Sequence, residues 1–326
     1  MQFDFPLSEL ETYRPEVQEP EDFDDFWTEQ LRMVAKYPLD ATFDEVAGPL
    51  HTVDVLDVSF NGYGGDRIRG WMLLPLHRAK PMPTIVEFVG YGGGRGLSHE
   101  SLLWSAAGYA HLIMDTRGQG STWSVGDSPD PGDTGDPSFP GFMTKGVRNP
   151  ATYYYVRLFI DAFRAVQAAR SHPFVDRDRI AVTGQSQGGG VTIAVSHLAG
   201  LSVAAMVDVP FLSHFARAVE ITDADPYAEL AAYCHTHRDQ VDEVFRTLSY
   251  VDVVNHAKRV DVPALFSVGL TDLIAPPSTV FAAYNWWGGD KQIEVYPFNG
   301  HEGGGAHHDL HKVEFAHEHV RDRVVE

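Results

Sequence analysis

Apolar positions along this chain fall into two kinds of segment that alternate with each other. Runs rich in β-branched residues predict strands at 53–60, 68–74, 84–89, 110–114, 180–183, 203–207, 264–268 and 293–296. Apolar residues at helical spacing predict helices at 21–37, 98–107, 151–170 and 188–198. Because strands that alternate with helices form βαβ units, we predict an α/β protein whose mainly parallel sheet carries helices on both faces.

Three parts of the chain depart from this alternation. Turn residues 61–65 join the first two strands into a hairpin, which predicts an antiparallel strand at one edge of the sheet. Residues 121–150 contain five Gly and five Pro, so we predict an irregular segment with a functional or interface role, the alternative being a surface excursion. Residues 209–263 carry helical patterning at 226–233 and 240–247. We predict a small helical cap there, with two peripheral helices as the alternative.

The chain length of 326 residues suits one large domain, which we place at 1–326 with an N-terminal extension at 1–50. The net charge of −20 argues against nucleic acid as a partner. Residues 1–60 hold 15 acidic and 3 basic residues, and we expect these acidic residues to form a solvated, solubilising surface. Cys234 is the single cysteine, which excludes an internal disulfide and a multi-cysteine zinc site.

The first sixteen residues lack the basic and apolar regions of a secretory signal, and no apolar run approaches the ~20 residues of a membrane span. We therefore predict a cytoplasmic protein without a membrane partner.

The main chemical signal is the G-x-S-x-G pattern at residues 184–188, with Ser186 at its centre. The pattern directly follows the predicted strand at 180–183 and opens the predicted helix at 188–198. A tight strand-to-helix turn of this kind holds the serine in a strained backbone conformation and needs small neighbours. We predict that Ser186 is a nucleophile.

A serine hydroxyl needs a base to act as a nucleophile. Asp272 and His301 follow the predicted strands at 264–268 and 293–296, which gives the chain order serine, acid, histidine. Both lie beyond the carboxyl ends of strands, where open α/β sheets bind ligands. We predict a Ser186–Asp272–His301 triad. The alternatives are a helix N-cap for Asp272 and a turn histidine for His301.

An oxyanion hole needs two hydrogen-bond donors. We predict that one is the backbone N–H of Gln187, the residue after the nucleophile. The glycine-rich segment 90–94 follows the predicted strand at 84–89, and we assign the second donor to the N–H of Tyr91, with Gly92 as the alternative. The segment could also be a turn without a catalytic role. It lacks nucleotide-binding spacing, and we predict no cofactor.

Several histidines lie near the C-terminus, and histidine is a common metal ligand. His301-Glu302 resembles the start of a zinc-binding H-E-x-x-H, but Gly305 replaces the second histidine, so we predict no metal. His307 and His311 are expected to be exposed helix residues. For Arg117 we predict an ion pair that fixes its loop, with a contact to substrate as the alternative.

These motifs together resemble a known family. The three-part signature of carbohydrate esterase family seven resembles Arg117-Gly118-Gln119, Gly184-Gln185-Ser186-Gln187-Gly188 and His301-Glu302. The family comprises acetyl xylan esterases and cephalosporin C deacetylases. The resemblance covers nearly the whole chain and implies an alpha/beta hydrolase fold. It also implies Ser186, Asp272 and His301 as the triad and the N–H groups of Tyr91 and Gln187 as oxyanion donors.

The resemblance further implies a serine esterase that removes acetyl groups from small substrates, such as acetylated xylo-oligosaccharides and cephalosporin C. It implies a homohexamer whose active sites face an inner cavity. Two other functions stay open from the residues: a different alpha/beta serine hydrolase, either dienelactone-hydrolase-like or peptidase-like, and a non-catalytic binding protein on the same scaffold.

Overall fold

The computed structural model describes residues 3–78, 81–131 and 135–321. The ends of the predicted 1–326 domain and residues 132–134 of the predicted irregular segment lie outside these described residues. The N-terminal part comprises α1 (Leu7–Leu10), α2 (Phe23–Val34), β1 (Thr42–Glu45), β2 (Val53–Asn61) and β3 (Arg67–Pro75). The predicted helix at 21–37 is confirmed as α2, because Phe23, Trp27 and Val34 lie on one face and are buried.

The remaining strands complete a nine-stranded sheet. They are β4 (Met82–Phe88), β5 (Ala110–Met114), β6 (Val175–Gln185), β7 (Ala204–Asp208), β8 (Ala264–Gly269) and β9 (Lys291–Tyr296). The order is β1-β2-β3-β5-β4-β6-β7-β8-β9, and the pairs from β5 to β9 are parallel. The predicted hairpin is confirmed as β2–β3, which is antiparallel. The prediction missed β1, a four-residue strand at the edge with mostly exposed side chains.

Helices cover both faces of this sheet. They are α3 (Leu103–Ala106), α4 (Tyr154–Ser171), α5 (Gln187–Ala199), α6 (Phe215–Ile221), α7 (Tyr227–Thr236), α8 (Val241–Ser249), α9 (Val253–Ala257), α10 (Pro277–Trp286) and α11 (Gly305–Ala316). The predicted helix at 98–107 is wrong in extent. A 3₁₀ turn at Ser98–Glu100 and the one-turn α3 stand there, because Ser101 leaves helical geometry at φ −121° and ψ 59°. No helix in the three described ranges is long and apolar enough to cross a membrane.

Alternate residues of each strand point to opposite faces of the sheet, and each face builds its own core. Val86, Val182 and Val207 contribute to the larger core, together with residues of α2, α4, α5 and α9. Ile85 and Met206 point the other way and pack with residues of α3 and α11. Helices therefore cover both faces of the sheet. Ligands of such a sheet bind beyond the carboxyl ends of its strands.

The segment 209–263, here called the helical insertion, holds four helices in the structure. The two predicted patterns correspond to α7 and α8, while α6 and α9 were not predicted. Helix α9 contacts α5 and α10, and its residues Val253, Val254 and Ala257 are fully buried. Helix α7 contacts the 3₁₀ turn Phe142–Thr144. The insertion therefore joins the main core at one end and reaches the irregular segment at the other.

The acidic N-terminal residues do not all form the solvated surface that we expected. The side chain of Asp4 is buried, pairs with Arg217 at 3.1 Å and accepts an N–H from α10. Glu19 pairs with both Lys258 and Arg259, at 2.7 and 2.8 Å. All three cations belong to the helical insertion, so the carboxylates attach the N-terminal segment to the domain.

Arg117 forms the ion pairs that the sequence predicts. Its guanidinium is fully buried and contacts Asp161 through two hydrogen bonds, of 2.5 and 2.8 Å. Asp66 and Asp130 accept further hydrogen bonds at 3.0 and 3.3 Å, and the N–H of Tyr63 donates to Asp161. This network joins the loop after β5 to α4 and to the hairpin turn.

We expect Asp161→Ala to reduce the free energy of unfolding by about 3–5 kcal/mol, because the buried Arg117 charge loses its main partner. Urea unfolding monitored by circular dichroism measures this loss. The matched control is Glu29→Ala, which breaks the Glu29–Arg32 pair at the exposed surface and should leave the free energy of unfolding nearly unchanged, because solvent screens such a pair. Equal losses in the two variants would contradict a structural role for the Arg117 network.

Candidate active site

Ser186 stands at a sharp turn between β6 and α5. Its backbone has φ 59° and ψ −118°, a conformation that residues with side chains rarely adopt. The N–H of Ser186 donates to the carbonyl of Asp208 at 2.9 Å, and its carbonyl accepts from the N–H of Phe211 at 2.9 Å. These two bonds hold the strained residue, which is the predicted nucleophile, at the carboxyl edge of the sheet.

The two glycines of the motif lie where no side chain fits. A Cβ atom on Gly184 would be 2.4 Å from the carbonyl carbon of Gly188. A Cβ atom on Gly188 would be 2.0 Å from the carbonyl oxygen of Phe88, at the end of β4. The close approach of β4, β6 and α5 therefore explains both glycines.

Asp272 and His301 are in direct contact. The Nδ1 atom of His301 lies 2.8 Å from Oδ2 of Asp272, whose side chain is fully buried. Oδ1 of Asp272 accepts the N–H groups of Ile274 and Ala275 at 2.8 and 3.0 Å. The carbonyl of His301 accepts from Nε2 of Gln185 at 2.8 Å. Both the carboxylate and the imidazole are thus held in one orientation.

A cavity of about 760 Å³ is lined by both Ser186 and His301. Within the described residues, no hydrogen bond joins the two side chains. Catalytic hydrogen bonds are commonly long or poorly aligned without substrate. Another groove lies at the amino ends of the strands, near Arg177 and Ser202, and holds none of the predicted site residues.

The two predicted oxyanion donors also lie at this site. The N–H groups of Tyr91 and Gln187 donate to no acceptor in the part of the chain that the structure describes. The N–H of Gly92, by contrast, donates to Oε1 of Gln119 at 2.6 Å, and this contact is buried. Tyr91 and Gly92 are the two alternatives for the second donor. Among the described residues, the N–H of Tyr91 has no acceptor, whereas the N–H of Gly92 is already bonded.

Gln119 connects the two loops that carry these N–H groups. Its Oε1 binds the glycine-rich loop, while its Nε2 donates to Oε1 of Gln187 and to the hydroxyl of Tyr154, each at 2.9 Å. Nε2 of Gln187 donates in turn to the carbonyl of Val89 at 3.1 Å. A buried polar network with every member bonded makes the two loops rigid relative to each other.

Polar side chains form part of the cavity wall. Glu87, Glu100, Ser101 and Ser124 are among the lining residues. Oε2 of Glu87 lies 2.8 Å from Nε2 of His111. Burial favours a raised pKa for Glu87, but the hydrogen bond and charge of His111 hold the pKa below its usual value. The wall therefore offers carboxylate and hydroxyl groups that can bind the hydroxyl groups of a ligand.

Helix α11, which follows the His301 loop, is anchored to β7 by a buried charge cluster. Asp208 lies 2.6 Å from Nζ of Lys312 and 2.9 Å from Nε2 of His308. Burial would raise the pKa of Asp208, but Lys312 and His308 lower it to about 2. His307 and His311 are exposed, as predicted. The described residues hold no group of three or more His, Cys, Asp or Glu placed to bind a metal ion.

The sequence analysis did not single out two residues that lie near the site, Trp123 and Glu229. The indole N–H of Trp123 donates to the carbonyl of Tyr91 at 2.8 Å, and this side chain is 64% exposed. Oε1 of Glu229, on α7, accepts from the Tyr91 hydroxyl at 2.5 Å across 138 residues of chain. No local pattern marks either residue, because each contact joins segments that are distant in sequence.

A strained serine between a parallel strand and a helix, followed by an aspartate and a histidine after later strands, defines the alpha/beta hydrolase class. The family model described as acetyl xylan esterase (AXE1) matches residues 1–319. The chain therefore belongs to the acetyl xylan esterase family of carboxylic ester hydrolases, which confirms the family and the fold predicted from the sequence.

Solved structures agree with this assignment. The acetyl xylan esterase from Paenibacillus sp. R4 is 38% identical with a TM-score of 0.90, covering 97% of this chain and 100% of that one. Acetyl xylan esterase 1 from Thermoanaerobacterium sp. JW/SL YS485 is 33% identical with a TM-score of 0.88, covering 97% and 99%. The curated acetyl esterase Axe7A of Xylanibacter ruminicola is 25% identical over 301 residues, or 89% of this chain. The match spans 65% of that longer relative.

We expect Gly188→Ala to lower the melting temperature, because the new methyl group forces β4 and α5 apart and overpacking costs about 1–3 kcal/mol. Differential scanning calorimetry measures the change. Gly48→Ala is the control, since a Cβ at Gly48 meets nothing within 4 Å. A Gly188→Ala protein as stable as the Gly48→Ala protein would show that the elbow tolerates a side chain there.

Proposed function

We propose that the protein hydrolyses acetyl esters of small hydroxylated molecules through an acetyl-Ser186 intermediate. The observation that carries this proposal is the shared cavity: it holds the strained Ser186 together with His301, which Asp272 orients. Tyr91 lines the same cavity as Ser186, and Gln187 follows Ser186 in the chain. Their free N–H groups can bind the negative charge that develops on the carbonyl oxygen during acyl transfer.

In the first step, Oγ of Ser186 attacks the carbonyl carbon of the acetyl group while Nε2 of His301 takes the serine proton. Asp272 holds the imidazole in the required tautomer and stabilises the imidazolium. The negative charge that develops on the carbonyl oxygen is bound by the N–H groups of Tyr91 and Gln187, each contributing about 3 kcal/mol. His301 then gives its proton to the leaving alcohol oxygen, and the acetyl group stays on Ser186.

In the second step, His301 removes a proton from water, and the resulting hydroxide attacks the carbonyl carbon of acetyl-Ser186. The same two N–H groups bind the second oxyanion. The bond to Oγ breaks, Ser186 recovers its proton from His301, and acetate leaves. The cycle needs water and no cofactor.

The cavity wall supports a polar leaving alcohol. Glu87, Glu100, Ser101 and Ser124 offer hydrogen bonds to hydroxyl groups, and the exposed ring of Trp123 offers a flat apolar face. The similar solved proteins are named acetyl xylan esterases, which favours acetylated xylo-oligosaccharides as substrates, with cephalosporin C as a second acetyl ester. We include the homohexamer and the cytoplasmic location in this proposal; intact-mass measurement of the native protein tests the first.

We expect Ser186→Ala to lower kcat on p-nitrophenyl acetate by ~10⁶, as for loss of the nucleophile in other serine hydrolases. The wild-type protein should also form a fluorophosphonate adduct at Ser186, which peptide mass spectrometry identifies. Ser196→Ala is the matched control, because that hydroxyl lies on α5 and, among the residues that the structure describes, bonds to the carbonyl of Thr192 alone. Substantial activity in Ser186→Ala would sink the nucleophile assignment.

A kinetic panel tests the acyl and alcohol preferences. We expect kcat/KM to be highest for acetyl esters, including acetylated xylobiose and cephalosporin C, and to fall for p-nitrophenyl butyrate. One methylene changes binding in such a pocket by ~1–3 kcal/mol. Aminoacyl p-nitrophenyl substrates complete the panel. Faster turnover of butyryl or aminoacyl substrates would replace the proposal with a different alpha/beta hydrolase activity.

A further inference from the structure

In the two peptide groups that flank Tyr91, three of the four polar atoms have hydrogen-bond partners among the described residues; one of these is the carbonyl of Gly90, which accepts the N–H of Gly93 at 3.2 Å. The carbonyl of Tyr91 accepts from the indole of Trp123, and the following N–H, that of Gly92, donates to Gln119. The N–H of Tyr91 itself donates to no described residue. The direction of this N–H therefore depends on contacts that fix the rest of Tyr91, including its side chain.

The side chain of Tyr91 is held by the helical insertion. Its hydroxyl donates to Oε1 of Glu229 at 2.5 Å and accepts the N–H groups of Gly141 and Phe142 at 3.2 and 3.0 Å. Oε2 of Glu229 accepts the N–H of Met143 at 3.2 Å. One carboxylate thus binds both the tyrosine and the irregular segment that packs against it.

In the contact between the two side chains, the Tyr91 hydroxyl is the donor and the Glu229 carboxylate is the acceptor. Burial and the hydrogen bond with Glu229 raise the pKa of Tyr91 well above its usual value, so the hydroxyl keeps its proton. No cation pairs with Glu229 anywhere in the described part of the chain. Among the described residues, the Tyr91 hydroxyl and the Met143 N–H donate hydrogen bonds to this carboxylate.

We propose that Glu229 is a positioning residue for the esterase reaction: through the Tyr91 hydroxyl it holds the Tyr91 N–H in line with the oxyanion. This inference rests on the proposed function and adds to it. Helix α7, which carries Glu229, would then contribute to catalysis by positioning Tyr91, although it supplies none of the triad or donor residues. Donors act only when they lie about 2.7–3.1 Å from the position of the oxyanion, so a small displacement of Tyr91 is costly.

The test compares Glu229→Ala, Tyr91→Phe and the double variant on p-nitrophenyl acetate. Complete removal of one oxyanion donor lowers kcat by ~10²–10³, so displacement of the Tyr91 N–H should lower kcat by about 10- to 100-fold, with KM little changed. The double variant should be no slower than the slower single variant, because both substitutions remove the same hydrogen bond. Additive losses would overturn the inference.

Glu229→Gln provides the conservative variant. The amide replaces one of the two acceptor oxygens by an NH₂ group, so either the Tyr91 hydroxyl or the Met143 N–H loses its acceptor, and we expect activity between those of wild type and Glu229→Ala. The matched control is Glu243→Ala. Glu243 belongs to the same insertion and bonds to Arg148 in the segment beyond Met143, at 3.0 Å, but does not contact Tyr91. It should retain wild-type kcat.

A tetrahedral boronate separates positioning from mere support of the fold. Phenylboronic acid forms an adduct with the serine, and one of its oxygens occupies the oxyanion site. Its inhibition constant should rise in Glu229→Ala by the same factor by which kcat/KM falls. An unchanged inhibition constant, or a kcat equal to that of Glu243→Ala, would overturn the role of Glu229.

The two proposals fail in different ways. A wild-type protein that hydrolyses none of the acyl esters and does not react with fluorophosphonate would overturn the proposed function, and the inference with it. An active wild-type esterase whose Glu229→Ala and Tyr91→Phe variants match the control would leave the esterase standing and remove only the positioning role.

Discussion

The candidate active site depends on a serine held in a left-handed backbone conformation at the end of a parallel strand. Such a conformation costs about 1–3 kcal/mol for a residue with a side chain, so neighbouring structure must impose it. Bonds from the Ser186 peptide to Asp208 and Phe211 do so, and they require the end of β7 to lie beside the turn. The glycines on either side follow from the same constraint, since β4 and α5 leave them no space. Everything else in the site is arranged around the hydroxyl that this turn presents.

Two residues of one short motif support that arrangement in different ways. Arg117 uses buried ion pairs to join its loop to α4 and to the hairpin turn, where breaking a pair is far more costly than at the surface. Two residues later, Gln119 reaches the other way and bonds to both loops that carry the free N–H groups. The motif therefore holds the loop after β5 in place on one side and the two loops with the free N–H groups on the other. Arg117 and Gln119 act through these contacts and not as members of the proposed triad.

Charge is used in this molecule to join segments. The acidic N-terminal part was expected to be a solvated surface, yet Asp4 and Glu19 bind cations beyond residue 200. Asp208 does the same inside the protein, where it holds α11 through Lys312 and His308. For these carboxylates the expectation was wrong, because net charge along a sequence does not show which carboxylates meet a cation after folding.

The alternation of strands with helices, the fold class, the family and the places of Ser186, Asp272 and His301 after their strands could be inferred from the sequence. Periodicity and motif chemistry lie in contiguous residues, so they are visible before folding. The sequence alone did not show the short edge strand β1, the break at Ser101 or helix α9. Nor did it show which backbone N–H groups of the glycine-rich loop are bonded: only the fold brings Gln119 to the Gly92 N–H and Glu229 to the Tyr91 hydroxyl. These contacts join residues tens to hundreds of positions apart, and distances of that kind are decided by tertiary packing.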